Sequence, residues 1–478
     1  MSTIDQANTN ANDKATVALD EKAVEELSSK LRGPLLRPGD ADYKQASMIY
    51  NRMIDKHPAL IVQCEDVADI IAAVNFARDQ HLTLAIRGGG HNPSGLSTCD
   101  DGLVVDLSRM RRVHVDPIAR TAWVDGGCLW KDVNHATDVF GLAAPSGVIS
   151  TTGVGGLTLG GGVGALARPY GLLVDSLLAV DMVLADGSFV RASREAYPDL
   201  FWAIRGGGGN FGVVASFLFK LYPVSKVLGG LMIWRFEDAK KVMQFWRDFM
   251  FKEAPDEMNG WFGFMMVPPA PEFPEELHLQ KVCAIAWCWI GAPEQGEKLF
   301  STIRDRVPPV LDLIQRMPFP VMQSMFDALY PPGLYSYWKS DFFDSLSDEA
   351  IDVNIKHSAQ LPSPLSVMHL YPINGAVHRI GKKETAFNYR DAQYVSVILG
   401  ADANRKSSES LIQWVRAYAR DMHPFSMGGG YVNLQMAEGV NQVKASYGEN
   451  YEELVKIKQK YDPQNFFHVN HNIAPNVS

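Results

Sequence analysis

Cysteine is scarce in this chain of 478 residues. There are five, Cys64, Cys99, Cys128, Cys283 and Cys288, with no Cys-x-x-Cys pair among them. An odd, scattered set excludes a disulfide framework and a thiolate zinc site as organising principles, so the thiols read as buried or incidental. Cys283 and Cys288 share a strand-like run, and their spacing predicts that they sit on opposite faces of it. Positive charge is also in deficit, with 45 Lys and Arg against 54 Asp and Glu, a net charge of −9. Without a dense basic cluster, a nucleic-acid partner is not expected. No apolar run approaches the roughly 20 residues of a membrane span, so no membrane partner is expected either. The first residues, MSTIDQANTNANDKATVALDEK, hold no apolar stretch of the kind a secretory signal needs, which makes a cytoplasmic location the expectation. No GxxxxGK[ST] segment occurs, so a P-loop is excluded.

What is present is an ordinary globular composition, 46% hydrophobic and 21% charged. It argues against disordered, collagen-like and coiled-coil chains. Such a length buries a core without metals or disulfides. Residues 1–17 read as a disordered tail. Asp20–Leu31 has the spacing of an amphipathic helix. A strand at 59–63, a helix capped by Asp66 and running to Ala77, and a strand at 82–86 compose a βαβ unit. Short β-runs and glycine turns follow to about residue 225. From 226 to 427 the pattern changes to longer strands (228–236, 280–290, 336–343, 366–371 and 394–399) and helices (239–250, 293–307 and 407–419). That is the pattern of an antiparallel sheet covered by helices. The stretch 428–478 reads as a loop, a helix near 452–460 and a Tyr461-Asp462-Pro463 stop. The class is α+β, with no internal repeat and no candidate metal site.

Glycine is the abundant residue, 40 in number and concentrated in three places. The first runs Arg87-Gly88-Gly89-Gly90-His91-Asn92-Pro93-Ser94-Gly95. The second spans 153–164, and the third spans 205–212. Glycines reach positive φ and let backbone N–H groups close on a ligand. Successive amides of this kind form an anion nest suited to a diphosphate. Gly207, Gly209 and Gly212 form a nominal GxGxxG, but a Rossmann fingerprint must open a helix. Here VVASFLF follows, which reads as strand, so that fold is rejected. His91 closes a glycine turn directly after a strand, at the mouth of the candidate cradle. Residues alone lead as far as a nucleotide or diphosphate cofactor held by backbone.

RGGGHNPSG, GVGGLTLGGGVG, DSLLAVDMVLADG, DLFWAIRGGGGNFGVV and the C-terminal YVN…KYDPQNFFHVNHNIAP resemble the FAD-linked oxidases of the vanillyl-alcohol-oxidase superfamily, berberine-bridge-enzyme-like branch. The resemblance runs from about residue 55 to 475. It implies a PCMH-type FAD-binding domain over 18–225, a substrate domain over 226–427 and a return to the first domain over 428–478. It implies FAD cradled by Arg87, Gly88, Gly89, Gly90, His91, Asn92, Ser94 and Gly95; by Thr151, Thr152, Gly153, Gly155, Gly156, Gly160, Gly161 and Gly164; by Gly208, Gly209, Asn210, Gly212, Val213 and Val214; and by Tyr431, Asn433 and Asn470. It also implies a covalent bond from His91 to the flavin 8α-methyl. Ile149 stands where many relatives carry a second, cysteinyl link, so one bond is expected.

The implied activity is oxidation of an alcohol or activated C–H in a sugar or natural product by hydride transfer to flavin N5. Dioxygen would reoxidise the flavin and give hydrogen peroxide. A dehydrogenase with another electron acceptor, Thr152 lying in the loop that sets oxygen access, and a flavoprotein that only sequesters its ligand are the alternatives. Tyr431 of Tyr431-Val432-Asn433 is implied as base, with Asn433 and Gln435 on one side of an extended segment. His369 and Tyr371 alternate onto one strand face and are further catalytic candidates, while Lys339, Asp341 and Tyr394 are pocket candidates. Trp261, Phe264, Trp287, Trp289 and Trp338 are candidates to line an apolar cleft. Oligomeric state is not legible.

Overall fold

A computed structural model describes residues 19–476; the tail expected over 1–17 lies outside them. Asp66 caps the helix Val67–Asp79, its carboxylate accepting from the Ala68 and Asp69 N–H groups at 2.9 and 3.3 Å. Ile70, Ala73, Val74 and Ala77 bury its inner face against Leu60, Val62, Leu84, Leu103 and Val105 of a four-stranded sheet. The strands Leu60–Gln63 and Leu84–Arg87 are parallel, as a βαβ unit requires, but they are not neighbours. Leu103–Asp106 runs between them, parallel to both. All four of its residues are buried, as a central parallel strand demands.

A second sheet follows, antiparallel throughout, in the order Val113–Asp116, Thr121–Asp125, Val213–Lys220, Leu177–Val183, Phe189–Ser193. The third glycine cluster therefore opens a strand and not a helix.

The third sheet is large and antiparallel. Its main path runs Leu311–Asp312, Lys226–Arg235, Lys281–Trp289, Met258–Met266, Val367–Pro372, Tyr394–Asp402, Tyr335–Lys339. The expected strand over 336–343 is interrupted at Ser340-Asp341, where the Ser396 hydroxyl takes the Asp341 N–H at 3.0 Å. Met258–Met266 is a strand that sequence patterning passed over. Its two glycines weaken the β signal, yet both have tertiary reasons. A Cβ at Gly260 would stand 2.3 Å from the Trp287 ring, and one at Gly263 would stand 2.7 Å from the His369 ring. The helix Asp348–Ser358, capped by Ser347, was passed over as well.

Alternation gives this sheet two different faces. One face packs Trp234, Phe262, Phe264, Cys283, Trp287 and Tyr394 against helices that include Ala239–Lys252 and Ser408–Met422. The other carries Trp261, Ala286, Cys288, Val367, Tyr371, Val395 and Leu399 toward the glycine-rich half of the molecule. Cys283 and Cys288 thus lie on opposite faces, and all five thiols are free and buried. Phe264, Trp287, Trp289 and Tyr394 all belong to the helix-covered face, so they cannot line a cleft on the other side.

The last helices, Val440–Tyr447 and Tyr451–Tyr461, return to the first half. There Tyr447, Leu454, Ile457 and Ile473 share a core with Val180, Phe201 and Phe217. Among the described residues no helix is long and apolar enough to cross a membrane.

Candidate active site

Three glycine loops and the returning chain converge on one cavity of about 300 Å³. The first loop leaves the strand Leu84–Arg87. Arg87 itself does not reach the cavity: its guanidinium turns underneath to the buried Asp106 carboxylate and the Ala46 carbonyl, anchoring the loop from below. At Gly89 the loop passes Gly153 backbone to backbone. A Cβ on either would stand 2.3–2.4 Å from the other's N atom, so both positions require glycine. Gly88, Gly89, Gly90, His91 and Asn92 line the cavity. Asn92 folds the turn by accepting the Ser94 and Leu96 N–H groups at 3.0 and 3.2 Å. Ser94 and Gly95 face elsewhere, the first donating to the Gln435 carbonyl at 2.8 Å and the second packing on Ile54.

The second cluster contains a short helix, Val154–Leu159. Thr152, Gly153, Gly155 and Gly156 line the cavity together with Gly147, Val148 and Ile149. Gly160 packs on Asn433, Gly161 on Phe387 and Tyr431, and Gly164 on the Ser146 carbonyl, so these three shape the support and not the lining. In the third cluster Gly208, Gly209, Asn210, Gly212 and Val214 face the cavity. Val213, one residue out of phase, is buried in the core beneath. Asn210 ties this loop to the returning chain: its amide donates to the Gly207 and His471 carbonyls and accepts from the Ile473 N–H. Lys458, wholly buried and paired with Asp462, donates to the Asn210 carbonyl at 2.7 Å.

His91 sits within the cavity with its ring stacked on Tyr50, centroids 4.1 Å apart. Burial pulls its pKa down to about 4, while a hydrogen bond to the Thr151 carbonyl acts in the opposite direction. The imidazole is therefore neutral at pH 7.

The opposite wall is built by the large sheet. Val367, His369 and Tyr371 on one strand, Val395, Val397 and Leu399 on the next, and Trp261, Phe326, Tyr330 and Trp338 complete it. His369 Nδ1 and Tyr371 Oη are hydrogen-bonded at 2.9 Å. Burial pulls the His369 pKa down to about 4 and pushes that of Tyr371 up.

Tyr431 lies where the two walls meet. Its Oη accepts from the Gly162 N–H at 2.7 Å and from the Asn433 amide at 2.8 Å. Burial pushes its pKa up to about 12. The segment after it is not extended. Val432–Leu434 forms a 3-10 turn closed by Leu434 N–H to the Tyr431 carbonyl at 2.9 Å. Asn433 consequently faces the cavity, while Gln435 is buried on the Ser340 carbonyl. Lys339 pairs with Glu438 and Asp341 with His423, and neither lines the cavity.

Tyr50, Tyr330 and His471 line the cavity without having been singled out in the sequence. Only the NHNIAP text around His471 carried any signal. Its pKa is pulled down to about 4 by burial against a hydrogen bond to the Val432 carbonyl, and its Nε2 has no protein partner.

A dinucleotide fits this lining. A Cβ at Gly156 or Gly209 would meet no atom within 4 Å, so those backbones face open space. Ser97 Oγ, Asn470 Oδ1 and His471 Nε2, all on cavity-lining residues, are buried polar atoms without protein partners. Buried polar atoms are ordinarily satisfied, so these suit a polar ligand. Among the described residues no Asp, Glu, Lys or Arg lines the cavity, so a diphosphate there would be held by backbone amides and neutral side-chain donors.

The fold and the cradle define an α+β enzyme that works with a dinucleotide cofactor. Residues 58–193 match the model of an FAD binding domain, and residues 430–474 match the model described as berberine and berberine like. An FAD-linked oxidoreductase of Dictyostelium discoideum is 30% identical over 456 residues, covering 95% of this chain and 97% of that one. A carbohydrate oxidase of Microdochium nivale is 27% identical over 493 residues, covering 95% of each. The crystal structure of 6-hydroxy-D-nicotine oxidase from Arthrobacter nicotinovorans superposes with a TM-score of 0.84 at 25% identity, over 93% of this chain and 98% of that one. The chain belongs to the berberine-bridge-enzyme-like family of FAD-linked oxidoreductases, and it is an FAD-dependent enzyme.

Proposed function

We propose that the enzyme is an oxidase of uncharged, largely aromatic small molecules, acting at a C–H beside a hydroxyl or an equivalent group. The observation that carries this reading is the composition of the wall facing the glycine loops. Trp261, Phe326, Tyr330, Trp338, Val367, Val395, Val397 and Leu399 surround one polar pair, His369 and Tyr371, with no ionised side chain among them. A charged substrate would lose its hydration there without a counter-ion. A sugar would leave most of its hydroxyls unpartnered.

Bound FAD supplies the two-electron acceptor, with dioxygen as the final oxidant and hydrogen peroxide as product. Gly88–Gly90, Gly153–Gly156 and Gly208–Asn210 hold it by backbone, and His91 forms the covalent link. The imidazole, kept neutral by burial, carries a free lone pair on one ring nitrogen. Ile149 offers no nucleophile for a second link.

Two residues divide the proton handling. A tyrosine with its pKa pushed up to about 12, in a cavity without a cation, is protonated at neutral pH. Tyr431 therefore serves as a hydrogen-bond donor to the substrate heteroatom. Its own oxygen is fixed by Gly162 and Asn433. His369 is neutral. In the tautomer whose Nδ1–H donates to Tyr371, Nε2 carries the lone pair that accepts the substrate proton. Tyr371 is the hydrogen-bond partner of the Nδ1 atom.

Peroxide release in air, screened over neutral aromatic alcohols and amines, charged analogues and oligosaccharides, tests the reading. Turnover of the neutral aromatic set is expected. Preference for sugars or charged compounds would overturn the substrate class, and a flavin that stays reduced in air would make the protein a dehydrogenase. Peptide mass mapping should place flavin on His91 and none on residues 146–152.

A further inference from the structure

We propose that Tyr50 is a positioning residue for His91: its ring aims the imidazole at the flavin methyl, so formation of the covalent link depends on it. This rests on His91 being the attachment residue. The two rings lie 4.1 Å apart at an interplanar angle of 23°. A stacked neighbour fixes the plane.

Tyr50 is suited to this because it is itself immobile. Its N–H donates to the carbonyl of Gly90, the residue before His91, at 3.1 Å, and its carbonyl accepts the Gly333 N–H at 3.0 Å. Its Oη donates to the Tyr330 carbonyl at 2.7 Å. The next residue, Asn51, is fully buried and donates to the Pro93 and Ser336 carbonyls at 2.8 and 2.9 Å. The platform is thus pinned both to the loop that carries His91 and to the substrate domain. Burial and the nearby Asp327 push the Tyr50 pKa up, so its ring is a neutral surface and not a base.

In the linking reaction the imidazole N–H and one 8α C–H break and the N–C bond forms. Both hydrogens, with the electron pair, pass to the flavin, and dioxygen then removes them as hydrogen peroxide. Only geometry remains for Tyr50 to supply, and misplacing a reacting atom by about 1 Å can cost a hundredfold.

The experiment compares purified wild type with Tyr50→Phe, Tyr50→Leu and His91→Ala. Total bound flavin is read by absorbance, and acid-stable flavin by in-gel fluorescence and intact mass. Tyr50→Phe keeps the ring and should match wild type. Tyr50→Leu should retain total flavin while its acid-stable fraction falls by at least about tenfold. An unchanged acid-stable fraction in Tyr50→Leu would overturn the proposal. So would loss of all flavin from that variant, which would make Tyr50 part of the cradle and not the aim of His91. Acid-stable flavin surviving in His91→Ala would instead overturn the assignment of His91, and this inference with it.

Discussion

The two walls of the cavity are built by opposite means. The wall of glycine loops gives much of its surface to main chain, at Gly88–Gly90, Gly153, Gly155, Gly156, Gly208, Gly209 and Gly212. Glycines remove side chains so that loops pass within contact distance, Arg87 and Lys458 hold the loops from behind, and Asn210 ties them to the returning chain. The sheet wall, which we propose faces the substrate, is almost all side chain, displayed every second residue from an antiparallel sheet. A backbone wall suits a ligand that never changes. A side-chain wall can be respecified residue by residue without disturbing its hydrogen-bonded frame.

The contrast breaks most visibly at glycine. Gly89→Ala should cost more than about 3 kcal/mol of stability, since its Cβ meets backbone that cannot yield. The purified protein should also lose its flavin absorbance. Gly156→Ala meets nothing within 4 Å, so it should keep the wild-type melting temperature and still weaken flavin binding. If both variants behaved alike, the wall would not be the close-packed cradle described.

On the substrate wall, His369→Asn should leave flavin content unchanged and lower kcat by about 10²–10⁴-fold, as stopped-flow reduction of the flavin would show. Tyr371→Phe, which removes only the hydrogen-bond partner of Nδ1, should cost less. Equal losses would make the pair one structural unit instead of a base and its support.

A separate effect concerns dryness. His369 in one wall and His471 in the other both have pKa values pulled down to about 4 by burial, against about 6.5 in an unfolded chain. The unfolded chain takes up their protons first as pH falls. Stability is therefore complete above about pH 6.5 and is lost progressively toward pH 4, by up to about 1.4 kcal/mol per pH unit for each histidine. Urea midpoints at pH 7 and pH 5 measure the loss. Replacing either histidine by Asn should remove its share, and unequal shares would show which wall is wetter.

Much of the fold was legible because it follows local rules. Asp66 announces a helix start, and the strands of the middle region show in their β-branched and aromatic content. The pairing of His369 with Tyr371 follows from a period of two. Alternation says which residues share a face, but it does not say which face the helices cover. That is why Trp287, Trp289 and Tyr394 were candidates for a cleft from which they are turned away. Met258–Met266 was missed because its glycines make room for Trp287 and His369, neighbours that no local pattern contains.

By itself the sequence determined where the backbone must bend sharply and which side chains travel together, since glycine's freedom and the strand repeat are properties of a few consecutive residues. Only the tertiary structure decided that Tyr50 stacks on His91 while bonded to Tyr330, 280 positions away. Such meetings are settled by how whole sheets and loops close over a common core, and the free energy of that closure is spread across the chain instead of being written at either partner.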